Sequence, residues 1–217
     1  MDARVATNTS HGPISCVTTS VTLPTQRKRP GRAGVIGLGI AWRLAERATV
    51  VCQDLVELDL PEPVDAVFSN ATFHWIHDHD ALFHALARSL KPGGRLVAQC
   101  GGRGNIDAFR RVADEVASEP EFAPHFEGCQ RPWNYAGAEQ TAERLERAGF
   151  TTVRTWLEPK RVLPDRTFVK TVCLLRHLDP LPPDLRDAFI DRVLERSGAP
   201  LVLDYVRLNM TARKADV

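Results

Sequence analysis

Apolar and polar positions along the chain change period several times, and each change predicts an element. Ala48-Thr49-Val50-Val51-Cys52 is rich in β-branched residues and predicts a strand ending at Gln53-Asp54. Residues 64–69 predict a second strand. Asp78 or Asp80 caps a predicted helix running through Leu90, with Leu82, Phe83, Leu86 and Leu90 on one face. Pro92-Gly93-Gly94 should end that helix and turn the chain into a buried strand over 95–100. Strands separated by helices at this spacing imply a parallel sheet with helical crossovers. Farther on, 106–118, 138–148, 168–175 and 185–195 read as helices, and 120–132 as a proline-bearing connector. Residues 151–157 and 203–211 alternate as strands, the second imperfectly, which suggests an antiparallel edge on a mostly parallel sheet. An α/β, Rossmann-like architecture follows.

Residues 1–33 break this regularity. Val5, Ile14, Val17 and Val21 show no sustained period, and the segment closes on the basic run Arg27-Lys28-Arg29-Pro30-Gly31-Arg32. A disordered N-terminal segment, 1–33, followed by one domain, 34–217, is the expected organisation.

Composition narrows the functional classes. Hydrophobic residues make up 43% and charged residues 25%, within the range of globular domains. A net charge of +1 supplies no global field to gather nucleic acid or a membrane surface and says nothing of oligomeric state. Five scattered cysteines with no CxxC pair argue against a disulfide framework or zinc knuckle and for a reducing cytoplasm. No apolar run reaches the roughly 20 residues of a membrane span, and the N-terminus has no signal-like apolar core.

Candidate chemistry gathers at predicted strand tips, where open parallel sheets bind ligands. Gly34-Val35-Ile36-Gly37-Leu38-Gly39 is a glycine turn whose backbone would let an anion or ribose approach, or a structural turn without a ligand. Trp42 occupies the third glycine position of a dinucleotide fingerprint. Asp54 ends its strand either as an acceptor for an exocyclic amine or as a cap for the next segment. Asn70, His74 and Trp75 place an amide, an imidazole and an indole within six residues, as ligand contacts or as rim packing. Among His74, His77, His79 and His84, His77 and His79 would diverge on a helix and no Cys or paired carboxylate joins them at ligand spacing, so no metal is expected. Trp133-Asn134-Tyr135 is either a substrate lid or a packing anchor. GxSxG, P-loop and HExxH patterns are absent from the sequence, and no catalytic nucleophile is assigned.

Four pieces in order carry a resemblance: Val50-Val51-Cys52-Gln53-Asp54-Leu55; Asp65-Ala66-Val67-Phe68-Ser69-Asn70-Ala71 with His74-Trp75; Leu90-Lys91-Pro92-Gly93-Gly94; and Leu203-Asp204-Tyr205-Val206-Arg207-Leu208-Asn209. Together they resemble class I S-adenosylmethionine-dependent methyltransferases of the trans-aconitate and malonyl-carrier-protein type, over about residues 43–213. The resemblance implies a seven-stranded sheet with an antiparallel last strand and S-adenosylmethionine as cofactor. It matches Asp54 to an adenine-binding acid, Leu55 to its backbone neighbour, Asn70 and Ala71 to positions lining the cofactor's methionine side, and His74 and Trp75 to positions flanking the substrate. Gly37 and Gly39 are the remaining cofactor candidates. The implied reaction is methyl transfer to a small molecule, a carboxylic acid among the choices. The family's GxGxG turn and ribose-gripping acid have no counterpart here, since only a short stretch separates Gly39 from Gln53. The N-terminal cofactor half therefore reads as degenerate or truncated, with impaired activity as one consequence. Two alternatives stand beside this reading: an inactive methyltransferase remnant, and an NAD(P)-dependent oxidoreductase using the Gly34–Gly39 turn.

Overall fold

The computed structural model describes residues 3–8, 16–21, 48–52, 54–129 and 133–216, the first three ranges as backbone only. Seven strands appear among them: β1 (Ala3–Asn8), β2 (Cys16–Val21), β3 (Ala48–Cys52), β4 (Val64–Asn70), β5 (Leu90–Gly101), β6 (Phe150–Val162) and β7 (Leu203–Lys214). The four longer helices are α1 (His79–Ser89), α2 (Asp107–Ala117), α3 (Ala138–Arg147) and α4 (Pro183–Ser197). The sheet order is β3-β1-β2-β4-β5-β7-β6. β2, β4 and β5 are parallel, whereas β1 is antiparallel to both β2 and β3. It follows that β3 runs in the same direction as β4. β7 runs antiparallel to β5, because Lys214 Nζ near its end donates to the Leu90 carbonyl at the start of β5, at 2.7 Å.

Two strands thus fall inside 1–33, where the sequence reading expected no folded element. Runs such as Cys16-Val17-Thr18-Thr19-Ser20-Val21 are short and β-branched, and they gain order by pairing with strands far along the chain. The rest of 1–33 lies outside the described residues, as do 34–47 with Gly37 and Gly39.

Contacts divide the expected single domain into two compact units, residues 1–102, 133–157 and 208–217 in one, and 103–132 and 158–207 in the other. In the first unit, α1 buries Leu82, Phe83 and Leu86 against Val67, Leu96, Ala98 and Cys100 of the sheet. Full burial of each large apolar side chain stabilises by about 1.5–3 kcal/mol. Asp78 caps α1, its carboxylate accepting from the Ala81 N–H at 2.8 Å. The strand after α1 begins directly at Leu90, and the expected Pro-Gly-Gly turn is absorbed into β5. Gly93 takes φ of +69°, and the pairing jumps from Val64↔Leu90 to Ala66↔Arg95. Glycine permits that bulge without a Cβ penalty. On the outer face the register partners Phe68 and Val97 are exposed.

The second unit packs α2 on α4, with Phe109, Ala113 and Val116 in one apolar cluster with Phe189, Ile190 and Val193. Arg196 of α4 bonds Glu115 of α2 and Glu119 just beyond its end, at 2.9 Å each. Instead of one helix over 168–175, the chain makes a run of short helical turns through residues 166–178. Burial pushes the Cys173 thiol up to about 12, partly offset by a bond with Tyr205, so this cysteine stays protonated and inert. No helix among the described residues is long and apolar enough to cross a membrane.

Candidate functional site

The first unit's carboxyl rim begins at the tip of β4. Asn70 ends the strand, exposed, and Ala71 follows in the left-handed region at φ +55°. The Ala71 N–H donates to the Gln99 carbonyl at 2.7 Å, extending the ladder to β5 one step past the strand. Only a few per cent of non-glycine residues adopt such a φ, and strain of this kind concentrates at functional sites. Ala71→Val puts a β-branched side chain in that conformation and should cost about 1–3 kcal/mol. An unchanged midpoint in denaturant titration would remove the claim of strain.

Beyond Thr72, Phe73–Trp75 forms a single tight turn. Phe73 is fully buried with its ring edge-on to Phe83, centroids 6.0 Å apart. The His74 Nδ1 accepts the Gly101 N–H at 3.2 Å, which fixes the ring's proton on Nε2. The His74 carbonyl accepts the Asn134 N–H at 2.9 Å, and Asn134 Nδ2 donates to the His77 carbonyl at 2.8 Å. The 133–135 segment is thereby bolted to the β4 tip from both backbone and side chain. Four rings then close a circuit: His74–Trp75 at 5.0 Å, Trp75–Trp133 at 6.1 Å, Trp133–Tyr135 at 6.3 Å and Tyr135–His74 at 5.7 Å. Trp75, Trp133 and Tyr135 remain half-buried, unlike the fully covered core phenylalanines. At the neighbouring tip Gln99 Nε2 donates to Asn209 Oδ1 at 2.7 Å, joining β5 to β7.

Asp54 stands just past the end of β3, exposed, its carboxylate accepting the Val56 N–H at 3.1 Å as the cap of a short turn. Leu55 is fully buried in the first unit's core, so only its backbone faces the rim chemistry. β3 and β4 run in the same direction, which sets Asp54 and Asn70 on one edge of the sheet. β1 and β2 lie between them, and three strand spacings make roughly 14 Å. Asn134 anchors the 133–135 segment, the packing-anchor alternative of the sequence reading, while the Gln99–Asn209 pair, 110 residues apart, leaves no local signal.

His79 opens α1 beneath this rim. Burial is the main cause holding its imidazole below the usual histidine range, and Arg144 adds to it; the bond to the Phe73 carbonyl (2.9 Å) and the carboxylates of Asp80 and Asp78 oppose it. A depressed histidine binds its proton more readily in the unfolded chain. Stability from neutral His79 is complete above pH 6.5 and declines as pH falls below it toward the folded value. His79→Gln should flatten that part of the thermal-melt profile; a slope identical to the parent's over pH 5–6.5 counts against it.

Known proteins resemble this chain along its length. A model described as "Methyltransferase domain" matches residues 32–98. A trans-aconitate 2-methyltransferase of Methylobacterium nodulans is 28% identical over 186 residues, 74% of this chain and 67% of that protein. These matches support a resemblance to S-adenosylmethionine-dependent methyltransferases. A second trans-aconitate 2-methyltransferase, from Rhizobium rhizogenes, is 40% identical over 124 residues, covering 54% and 44% of the two chains. A malonyl-[acyl-carrier protein] O-methyltransferase of Calditerrivibrio nitroreducens is 38% identical over 92 residues, covering 42% and 38%. The chain spans between 38% and 67% of the length of these relatives. The sheet has the antiparallel β7 that the resemblance implies, but its β1 is antiparallel to both neighbours as well. None of these matches supports the nicotinamide reading of the Gly34–Gly39 turn, whose residues lie outside those described.

Proposed function

We propose that this chain binds S-adenosylmethionine along the rim from Asp54 to Ala71 and transfers its methyl group to a small carboxylic acid. The observation that carries the reading is the common edge shared by Asp54, Asn70 and Ala71. A cofactor with adenine at one end and an amino acid at the other suits a span of this kind. In this reading Asp54 accepts from the adenine amine with Leu55 as its backbone neighbour. The Asn70 amide and the Ala71 backbone hold the methionine end, and His74 and Trp75 flank the acceptor. The names of the relatives, which act on trans-aconitate and a malonyl carrier, favour an acid.

When bound, the cofactor supplies an electrophilic methyl on a positive sulfur. The residues' task is to hold donor and acceptor in line, since correct orientation alone lowers such barriers by several kcal/mol. A carboxylate is already ionised at neutral pH, so no general base is required. His74 and Trp75 would hold the acceptor's carboxylate oxygen toward that methyl, so that transfer would give an ester and leave a neutral thioether.

Isothermal titration of the full chain with S-adenosylhomocysteine tests the reading, with a saturable isotherm expected. Asp54→Ala and Asn70→Ala should each weaken binding by about tenfold, as for the loss of one hydrogen bond to a polar ligand group. No heat at millimolar ligand overturns it.

A further inference from the structure

His79 does more than fill the first turn of α1. Its ring is 2% exposed and lies 5.8 Å from the Phe83 ring. Its Nε2 stands 2.9 Å from the Phe73 carbonyl. A carbonyl oxygen only accepts, so that nitrogen carries the ring's hydrogen and the lone pair is left on Nδ1. Nδ1 is buried and meets no hydrogen-bond partner among the described residues. A second proton would have to land there. The groups facing the ring are the Phe73 carbonyl from the preceding turn, Asp78 and Asp80 from the start of α1, and Arg144 from α3. The Asp78 carboxylate is engaged by the Ala81 N–H, and that of Asp80 by Arg144 and Arg147. Arg144 itself keeps a buried Nη1 without a partner among the described residues. A protonated His79 would therefore place an unmatched donor in the core and a second positive charge near Arg144, and both disfavour it.

The neutral ring, by contrast, ties α1 to the Phe73–Trp75 turn through a carbonyl that also accepts the Ile76 N–H at 3.0 Å. That turn follows Asn70 and Ala71 with only Thr72 between. Resting on the reading of the site given above, we infer that His79 is a positioning residue: its neutral ring seats the turn behind the cofactor rim, and acid releases it. His79 touches neither cofactor nor acceptor and acts through the Phe73 carbonyl. Once the turn opens, the freed ring takes up a proton at its ordinary value of 6.5, which the closed state resists. The opening constant should therefore rise by up to about tenfold between pH 7.5 and 5.5.

Amide exchange of the full chain, read by mass spectrometry over the peptide covering residues 73–78, measures that opening through the bonded Trp75 and Ile76 amides. The comparison is His79→Gln, which keeps a donor of similar reach and does not titrate. Between pH 7.5 and 5.5 the parent should lose up to about tenfold more protection than the glutamine variant. Other histidines are common to both chains, so the difference belongs to His79. Saturating S-adenosylhomocysteine should restore the parent's protection at pH 5.5, because it binds the seated rim. At pH 7.5, His79→Leu removes the donor and should weaken S-adenosylhomocysteine binding by about two- to tenfold, while His79→Gln stays within about twofold of the parent. If the leucine variant melts below the assay temperature, the exchange comparison of parent and glutamine variant decides. Equal loss of protection in those two chains, or a folded leucine variant with the parent's affinity, overturns the role of His79 while S-adenosylhomocysteine binding stands. A missing isotherm for the parent at pH 7.5 overturns the site reading and the positioning role with it, whatever the exchange shows.

Discussion

Phe73→Ala should lower stability by about 3–5 kcal/mol, the cost of emptying a fully buried aromatic position. The ring is completely covered and packs edge-on against Phe83 of α1 at 6.0 Å. Its backbone carbonyl accepts from the His79 ring and, at 3.0 Å, from the Ile76 N–H. The side chain therefore seats the turn that aims His74 and Trp75, and its removal loosens the rim as well as the core. For a chain of this size the melting temperature should fall on the order of 10 °C. A shift smaller than ~2 °C would show that the turn is held by its hydrogen bonds alone.

Gly102→Ala should be the next most damaging change. A Cβ there lies 2.6 Å from Leu157 Cδ2, 2.9 Å from Leu208 Cβ and 3.1 Å from the Leu208 backbone nitrogen. The leucine tip of β6 can swing aside. The β7 backbone cannot without disturbing its pairing with β5, so the insertion must displace a strand. Overpacking of this kind typically costs about 1–3 kcal/mol. Because Asn209 is the next residue, its bond to Gln99 should weaken too, visible as faster amide exchange at the β5 tip. Parent-like stability and exchange in the alanine variant would mean that β7 yields more easily than its contacts imply.

The elements legible from sequence were those whose signals are local. α1 shows a capping aspartate and apolar residues every three or four positions. β4 and α3 have clear boundaries, Asn70 and Gly149, and each was placed within a residue or so. Elements whose formation depends on distant partners were harder to read. β1 and β2 have weak patterns and owe their order to pairing, and the glycine pair in β5 reads as a turn until the register with β4 shows a bulge. The short turns through 166–178 carry helical composition but bend around Val169 and Cys173, both buried in the second unit. At the site, Asp54, Asn70, His74 and Trp75 were visible because they follow strand-like runs. The capping role of Asp54, weighed beforehand as an alternative to ligand binding, is present in the structure. The left-handed Ala71 had no local trace, and of the Asn134 tie only the anchoring segment, not its partners, was legible.

The bond from Gly101 to His74 has a chemical corollary. A neutral imidazole has one in-plane lone pair, on the ring nitrogen without a hydrogen, and here it is already engaged. That electron pair is the nucleophile in any alkylation of the ring, so His74 is shielded from self-modification even beside a reactive methyl donor. Prolonged incubation with S-adenosylmethionine should leave the His74 peptide without an added methyl by mass spectrometry, and a methylated imidazole there would show that the shield fails.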